Sequence, residues 1–210
     1  MATATLIPSS YYVSASALTV ANEANMYDDV SSTNYGTVTN TNKSTSYYYF
    51  YLRGFNIDSI PADATVSSFT VKLRGRASGA YNSSMYLAHG TTTISGATAS
   101  QLPNSSSATT RTFSNGSLTW AQIVGYGDTF GIRINCRRYA RNTTSYYYIY
   151  GAEIDVEYEV PTPVTDKVYY KTGGAWVEAS KAYKKIGGVW VEQTDIEHMF
   201  DSGTNYVLSE

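Results

Sequence analysis

The 210-residue chain has a single cysteine, Cys136, so no disulfide can close within it. Folding is therefore expected not to depend on an oxidising compartment. Cys136 ends the alternating stretch FGIRINC and reads as a small core residue rather than a nucleophile. Histidine is almost as scarce. His89 and His198 are far apart, and no Cys/His spacing offers the three or four converging ligands a zinc site needs. There is no phosphate-binding glycine loop, nucleophile elbow, H-E-x-x-H helix or EF-hand loop, so neither a cofactor nor an enzymatic activity is expected. Asp28 and Asp29, in an early loop, are the one acidic pair that could join a calcium site.

Charge is sparse too. Asp, Glu, Lys and Arg make up 15% of the chain, against the ~25% usual in soluble domains, and the net charge is −2. That balance gives no basic face to displace counterions, which argues against a nucleic-acid partner. The one basic cluster, Arg133, Arg137, Arg138 and Arg141, reads as a solvated strand end and loop. No apolar run approaches the ~20 residues needed to cross a bilayer. The opening MATATLIPSS lacks the basic-then-apolar order of a leader, so neither membrane insertion nor secretion is expected.

Ser, Thr, Asn and Tyr fill the gap, a mixture suited to strands and turns. Short alternating segments separated by polar, glycine-bearing stretches predict an all-β fold over residues 1–160. An opening strand over 4–13 is bent or broken at Pro8, and ALTV (17–20) follows. NEANMYDDVSSTNYGTVTNTNKS reads as a long loop with one helical turn. Val66, Phe69, Val71 and Leu73 set one face of a strand that has Lys72 and Arg74 on the other. MYLAHG is a short strand, and residues 91–117 read as loops or edge strands. LTWAQI is a helical turn or strand after Ser117. Phe130, Ile132, Ile134 and Cys136 alternate with Arg133, Asn135 and Arg137. Ile154, Val156, Tyr158 and Val160 face inward, leaving Glu153, Asp155, Glu157 and Glu159 as an acidic solvent face.

Twenty-one tyrosines stand out, because TSYYYFY at 45–51 returns as TSYYYIY at 144–150. In the first string Tyr48, Phe50 and Leu52 are expected to be buried. The two strings are expected in one sheet or facing each other. Their tyrosines have three readings: plain strand residues, a subunit contact, or a surface that stacks on sugar rings.

After Glu159 the texture changes. Pro161 and Pro163 mark an extended connector over 161–166. KVYYKTGGAWVEA (167–179) then repeats as KAYKKIGGVWVEQ (181–193). Gly-Gly between alternating runs is a strong hairpin signal, so each unit is one hairpin, turning at Gly173–Gly174 and Gly187–Gly188. Tyr169, Trp176, Tyr183 and Trp190 can share an apolar face. The tail holds a turn around Ile196–Phe200 and a lone NYVL, which either caps the hairpins or docks on another chain. Residues 167–210 thus form a small module of about four strands, marginal by itself.

LRGFNIDSIPADATVSSFTVKLRGRAS, GDTFGIRINCRR and IYGAEIDVEYEV together resemble a jelly-roll module of virion proteins of tailed phages. The doubled hairpin tail is similar to C-terminal segments of phage structural proteins, especially those of phages of Gram-positive bacteria. The resemblance implies an antiparallel jelly-roll-like β-sandwich followed by the hairpin module, in a non-enzymatic virion part: a capsid decoration, collar, neck or tail accessory protein. It implies assembly in the host cytoplasm, homo-oligomerisation, and capsid, portal, neck or tail proteins as partners. The expected contact residues are Tyr47, Tyr49, Tyr51, Tyr147, Tyr169, Trp176, Tyr183, Trp190, Phe200 and Tyr206. The alternative is a carbohydrate-binding module that attaches to a host-surface glycan.

Overall fold

A computed structural model describes residues 1–42, 46–138, 143–161, 169–172, 175–178, 181–186, 188–193 and 206–209. The chain divides into two compact units, Met1–Pro161 and Thr162–Glu210.

The first unit is built from antiparallel strands: β1 (Ala2–Leu6), β2 (Ser10–Val13), β3 (Leu18–Ala21), β4 (Gly36–Asn40), β5 (Tyr49–Arg53), β6 (Thr65–Ser78), β7 (Ala80–Asn82), β8 (Met85–His89), β9 (Thr92–Ala99), β10 (Thr109–Thr112), β11 (Phe130–Asn135), β12 (Arg137–Arg138) and β13 (Ser145–Glu159). Among the described residues, one α-helix, α1 (Trp120–Tyr126), and short 3-10 turns at Glu23–Met26, Ile57–Ser59 and Gly127–Thr129 interrupt them. A six-stranded sheet runs β10-β6-β13-β4-β3, with β1 also on β13, and a five-stranded sheet runs β2-β5-β11-β8-β9. Val71, Leu73 and Ile154 from the first sheet share one core cluster with Phe50, Leu87 and Ile132 from the second. The architecture is an all-β, sandwich-like fold, as the alternation predicts.

The predicted break at Pro8 is a change of sheet. Leu6 pairs with Ile154 in the six-stranded sheet, and Ser10 pairs with Arg53 in the five-stranded one. A proline has no N–H to give to a ladder, so it suits the crossing. The stretch 91–117, read as loops or edge strands, holds β9 and β10, each at one edge of its sheet. The helical turn is α1, capped by Thr119: the Thr119 hydroxyl accepts from the Gln122 N–H at 3.3 Å, and the Gln122 Oε1 accepts from the Thr119 N–H at 2.9 Å.

Four expectations are corrected. GTVTN, read as loop, is the interior strand β4, whose Val38 and Asn40 are fully buried. Asn40 is tolerated there because its Nδ2 donates to the Cys136 carbonyl at 2.7 Å and its Oδ1 accepts from the Asn42 N–H at 3.0 Å. Glu153, read as solvated, is buried. It accepts from the Lys72 ammonium at 2.9 Å and the Val30 N–H at 3.0 Å, so the charge is compensated where water is excluded. Asn135 is also buried, and its Oδ1 takes the Arg133 guanidinium. Within the basic cluster, Arg138 is buried against the carbonyls of Thr41 and Asn42, whereas Arg141 lies outside the described residues. Cys136 is fully buried, as expected.

Strand β13 organises the six-stranded sheet. Its residues Ser145–Ile149 pair with β4 and Ile154–Tyr158 pair with β1, along the same edge. Between them the Ala152 N–H donates to the Asp28 carbonyl at 2.9 Å. A register shift between Ile149 and Gly151 changes the inward phase, so Tyr147 and Ile149 are buried before it and Ala152, Ile154 and Val156 after it.

In the second unit, β14 (Tyr169–Thr172) pairs with β15 (Ala175–Glu178), and β16 (Lys181–Ile186) pairs with β17 (Val189–Gln193). Thr172 pairs with Ala175 and Ile186 with Val189, the two-residue connections that Gly-Gly predicts. Gly188 has φ +89°, the left-handed backbone that favours glycine. The lone tail strand becomes β18 (Tyr206–Ser209), paired with β16. The connector over 162–166 and the turn around residues 196–200 fall outside the described residues.

Candidate functional site

The two tyrosine strings enter β5 and β13, which belong to different sheets around one core. Phe50 and Ile149 occupy the same place in the two copies, and both are fully buried. Among the described residues, no ring of one string contacts a ring of the other. Tyr47, Tyr49, Tyr51, Tyr148 and Tyr150 instead meet arginines of their own or neighbouring strands.

On the five-stranded sheet, Tyr12, Tyr51, Arg133, Tyr86 and Thr98 are successive cross-strand partners from β2 to β9. Side chains at one register position point to one face, so these residues form a row. The Arg133 guanidinium lies 4.1 Å from the Tyr49 ring centroid and 5.2 Å from that of Tyr86. Arg53 lies 4.7 Å from the Tyr51 ring and 4.9 Å from the Tyr12 ring. At the end of the string, Arg137 sits 4.9 Å from the Tyr47 ring and donates to its hydroxyl at 3.1 Å.

The six-stranded sheet carries a parallel arrangement. Tyr148 pairs with Arg76 on β6 and with Thr37 on β4. The Arg76 guanidinium is 3.7 Å from the Tyr148 ring, and Arg74 is 5.3 Å from that of Tyr150. Tyr35 closes over both rings, at 5.2 Å from Tyr148 and 5.1 Å from Tyr150. Such cation–π contacts contribute ~0.5–1 kcal/mol each at exposed sites.

The two faces differ in charge. No Asp or Glu occurs in β2, β5, β8, β9 or β11. The strand carboxylates of the first unit, Glu153, Asp155, Glu157 and Glu159, all lie in β13, where Lys72 takes both Glu153 and Asp155. Arg53 and Arg133 therefore present positive charge without a carboxylate partner among the described residues. Arg53 donates to the Gly90 carbonyl, its Nε is buried without a hydrogen-bond partner, and desolvation holds its pKa below the usual guanidinium value.

The predicted contact residues fare unequally. Tyr47 is 42% exposed and Tyr49 half-buried. Tyr51 is a correction: it points outward yet is only 2% exposed, because Tyr12, Arg53 and Arg133 cover it. Burial pushes its phenol pKa up, while Arg133 and Arg53 pull it down. Tyr147 is also corrected. It is fully buried in the core, donates to the Arg137 carbonyl at 2.9 Å, and its phenol is pushed up by desolvation. In the second unit, Trp190 is 43% exposed with Lys185 at 5.7 Å from its ring, and Tyr183 is half-buried. Tyr169, Trp176 and Tyr206 are placed by strand register, opposite Glu178, Lys171 and Lys184. Phe200 lies outside the described residues.

Sequence reasoning missed Tyr12, Tyr35, Tyr86, Tyr148 and Tyr150, together with the arginines that bind the rings. The available signal was arginine alternating with apolar residues in β6 and β11. Its pairing with tyrosine depends on register, which a single sequence does not supply.

Depressions also lie elsewhere in the first unit. One, of about 450 Å³, is lined by Ser9, Asn56, Asp58 and Asp128. Another, of about 540 Å³, is lined by Ile60, Pro61, Trp120 and Val124. The Ser31 hydroxyl, and then the Ser31 N–H that donates to the Asp29 carboxylate at 2.7 Å, lower the Asp29 pKa, and the Asp28 carbonyl takes the Ala152 N–H. Among the described residues, no three His, Cys, Asp or Glu side chains converge as a metal site. In comparison with known proteins, no family model, curated protein or solved structure matches this chain.

Proposed function

We propose that this chain is a non-enzymatic structural protein that works through protein–protein contacts made by the outer faces of its sandwich, in the particle of a tailed phage. One observation carries the contact reading: the tyrosine strings expose rings that arginines already hold in place. Tyrosine and arginine are the residues enriched where proteins bind one another, because rings and guanidinium groups desolvate large areas at low entropic cost. The face of β2-β5-β11-β8-β9 has arginines and no carboxylate, so it suits a partner surface bearing acidic groups. The virion setting rests on the sequence resemblance over residues 45–160 and 166–210.

Mass spectrometry of purified particles tests the setting. The chain is expected among the particle proteins, and its absence ends the assignment. Arg133→Glu tests the face, with incorporation expected to fall at least tenfold while the fold is retained.

The second reading is attachment to a host glycan. Tyr146 and Tyr148 support it, with rings 6.2 Å apart and within 22° of parallel. Against it, a sugar would find one side of Tyr148 occupied by Arg76. Glycan-array binding lost on Tyr146→Ala or Tyr148→Ala would favour attachment; no binding to host wall material counts against it.

A further inference from the structure

The second unit contains the same hairpin twice, yet its two copies are not equally partnered. Strand β16 is bonded on both edges: to β17 from Ala182↔Gln193 to Ile186↔Val189, and to β18 from Lys181↔Ser209 to Lys184↔Tyr206. The repeat places Tyr169 where the second copy has Tyr183, and Trp176 where it has Trp190. Strand β14 is therefore the counterpart of β16. Among the described residues, β14 is bonded only to β15. Its other edge corresponds to the one that β18 fills on β16.

The unit thus holds a two-stranded and a three-stranded sheet. Sheets this small are marginal in water, and an open edge offers a row of unpaired N–H and C=O groups. Edge strands are normally guarded by charge or proline. Strands β14, β15 and β17 carry Lys171, Glu178 and Glu192, whereas β18 reads Tyr-Val-Leu-Ser and has neither charge nor proline. Of these edges, β18 is the unguarded one.

We propose that the edges of β14 and β18 left unpaired among the described residues meet between copies, β14 of one chain pairing antiparallel with β18 of a second. The result is a continuous five-stranded sheet, β15-β14 of one chain followed by β18-β16-β17 of the other. The occupant is a second copy because the repeat itself supplies the precedent: a hairpin strand of this sequence already binds β18. Backbone hydrogen bonds carry the affinity, as in other strand additions. This contact is independent of the arginine-bearing sheet face.

Full-length chain and chain ending at residue 205 are compared by sedimentation equilibrium. Self-association is expected for the first and a monomer for the second. Because truncation could unfold the second unit, full-length chains carrying Tyr169→Cys are also mixed with chains carrying Val207→Cys or Leu208→Cys. Those two positions cover both parities of the ladder, and the native Cys136 is buried. An interchain disulfide in one of the mixtures is expected, since partnered Cα atoms lie within bridging range. The proposal is overturned if both mixtures stay unlinked. It is overturned equally if the full chain is monomeric at all concentrations, or if a doubly substituted chain closes the bond within itself. Particle incorporation has no bearing on either readout.

Discussion

A Cβ placed on Gly151 would lie 2.1 Å from the carbonyl oxygen of Asp29, with the Asp28 carbonyl at 2.5 Å. Both obstacles are backbone, held there by the Ala152 N–H bond to Asp28, so neither can swing aside. Gly151→Ala must separate the loop from β13 or tilt the strand. A loss of ~2–3 kcal/mol is expected from such overpacking, measured by urea unfolding. Gly125 in α1 is the contrast. Nothing lies within 4 Å of its would-be Cβ, so Gly125→Ala should stabilise by ~0.5–1 kcal/mol through helix propensity.

Alkaline pH should unfold the first unit. The Tyr51 and Tyr147 phenols are raised by burial, and Lys72 is raised by its bonds to Asp155 and Glu153. In each case the folded chain holds its proton more tightly than the unfolded one. The stabilisation is complete below the unfolded values, 10.0 for tyrosine and 10.5 for lysine, and is lost as pH rises above them. Stability is expected to be flat from pH 7 to 9 and to fall beyond about 10. Tyr147→Phe should flatten that fall, as read by urea midpoints across pH. An unchanged slope would remove Tyr147 from the account.

The Cys136 thiol is fully buried, and desolvation pushes its pKa far up. At pH 8 a thiol reagent should therefore react only through opening of the core. The rate should rise with denaturant in step with loss of the far-ultraviolet signal. Rapid labelling of native protein would contradict the burial.

Arg76 and Tyr148 offer a direct measure of the arginine–tyrosine contacts. A double-mutant cycle with Arg76→Ala and Tyr148→Ala is expected to give a coupling of ~0.5–1 kcal/mol, weakly dependent on salt. A coupling near zero would leave these rings as independent strand residues.

The sandwich was legible wherever one face of a strand is apolar and the other is not. FGIRIN and TVKLR declare their buried sides by alternation, and Gly-Gly declares both hairpins. Strand β4 escaped because Val38 is its only large apolar residue; its place between β13 and β3 comes from neighbours distant in sequence. Glu153 and Asn135 were read outward on alternation, which is right for direction but silent on cover. The loop at Val30 closes over one, and Arg133 reaches the other. The tyrosine strings were hardest. With rings on both faces, periodicity does not separate Tyr51, buried under Tyr12 and Arg53, from the exposed Tyr47. The arginine partners depend on strand pairings that local sequence does not specify.

The opening strand also fixes how the sandwich would respond to a pull. Ala2 is matched with Tyr158 and Leu6 with Ile154, so the start of the chain and the exit towards Pro161 leave from the same corner. Tension applied between those two points would peel β1 away from β13 one rung at a time, beginning at Ala2, instead of shearing all the rungs together. For the same reason the whole unit could be spliced into a surface turn of an unrelated host protein while barely separating the host's cut ends.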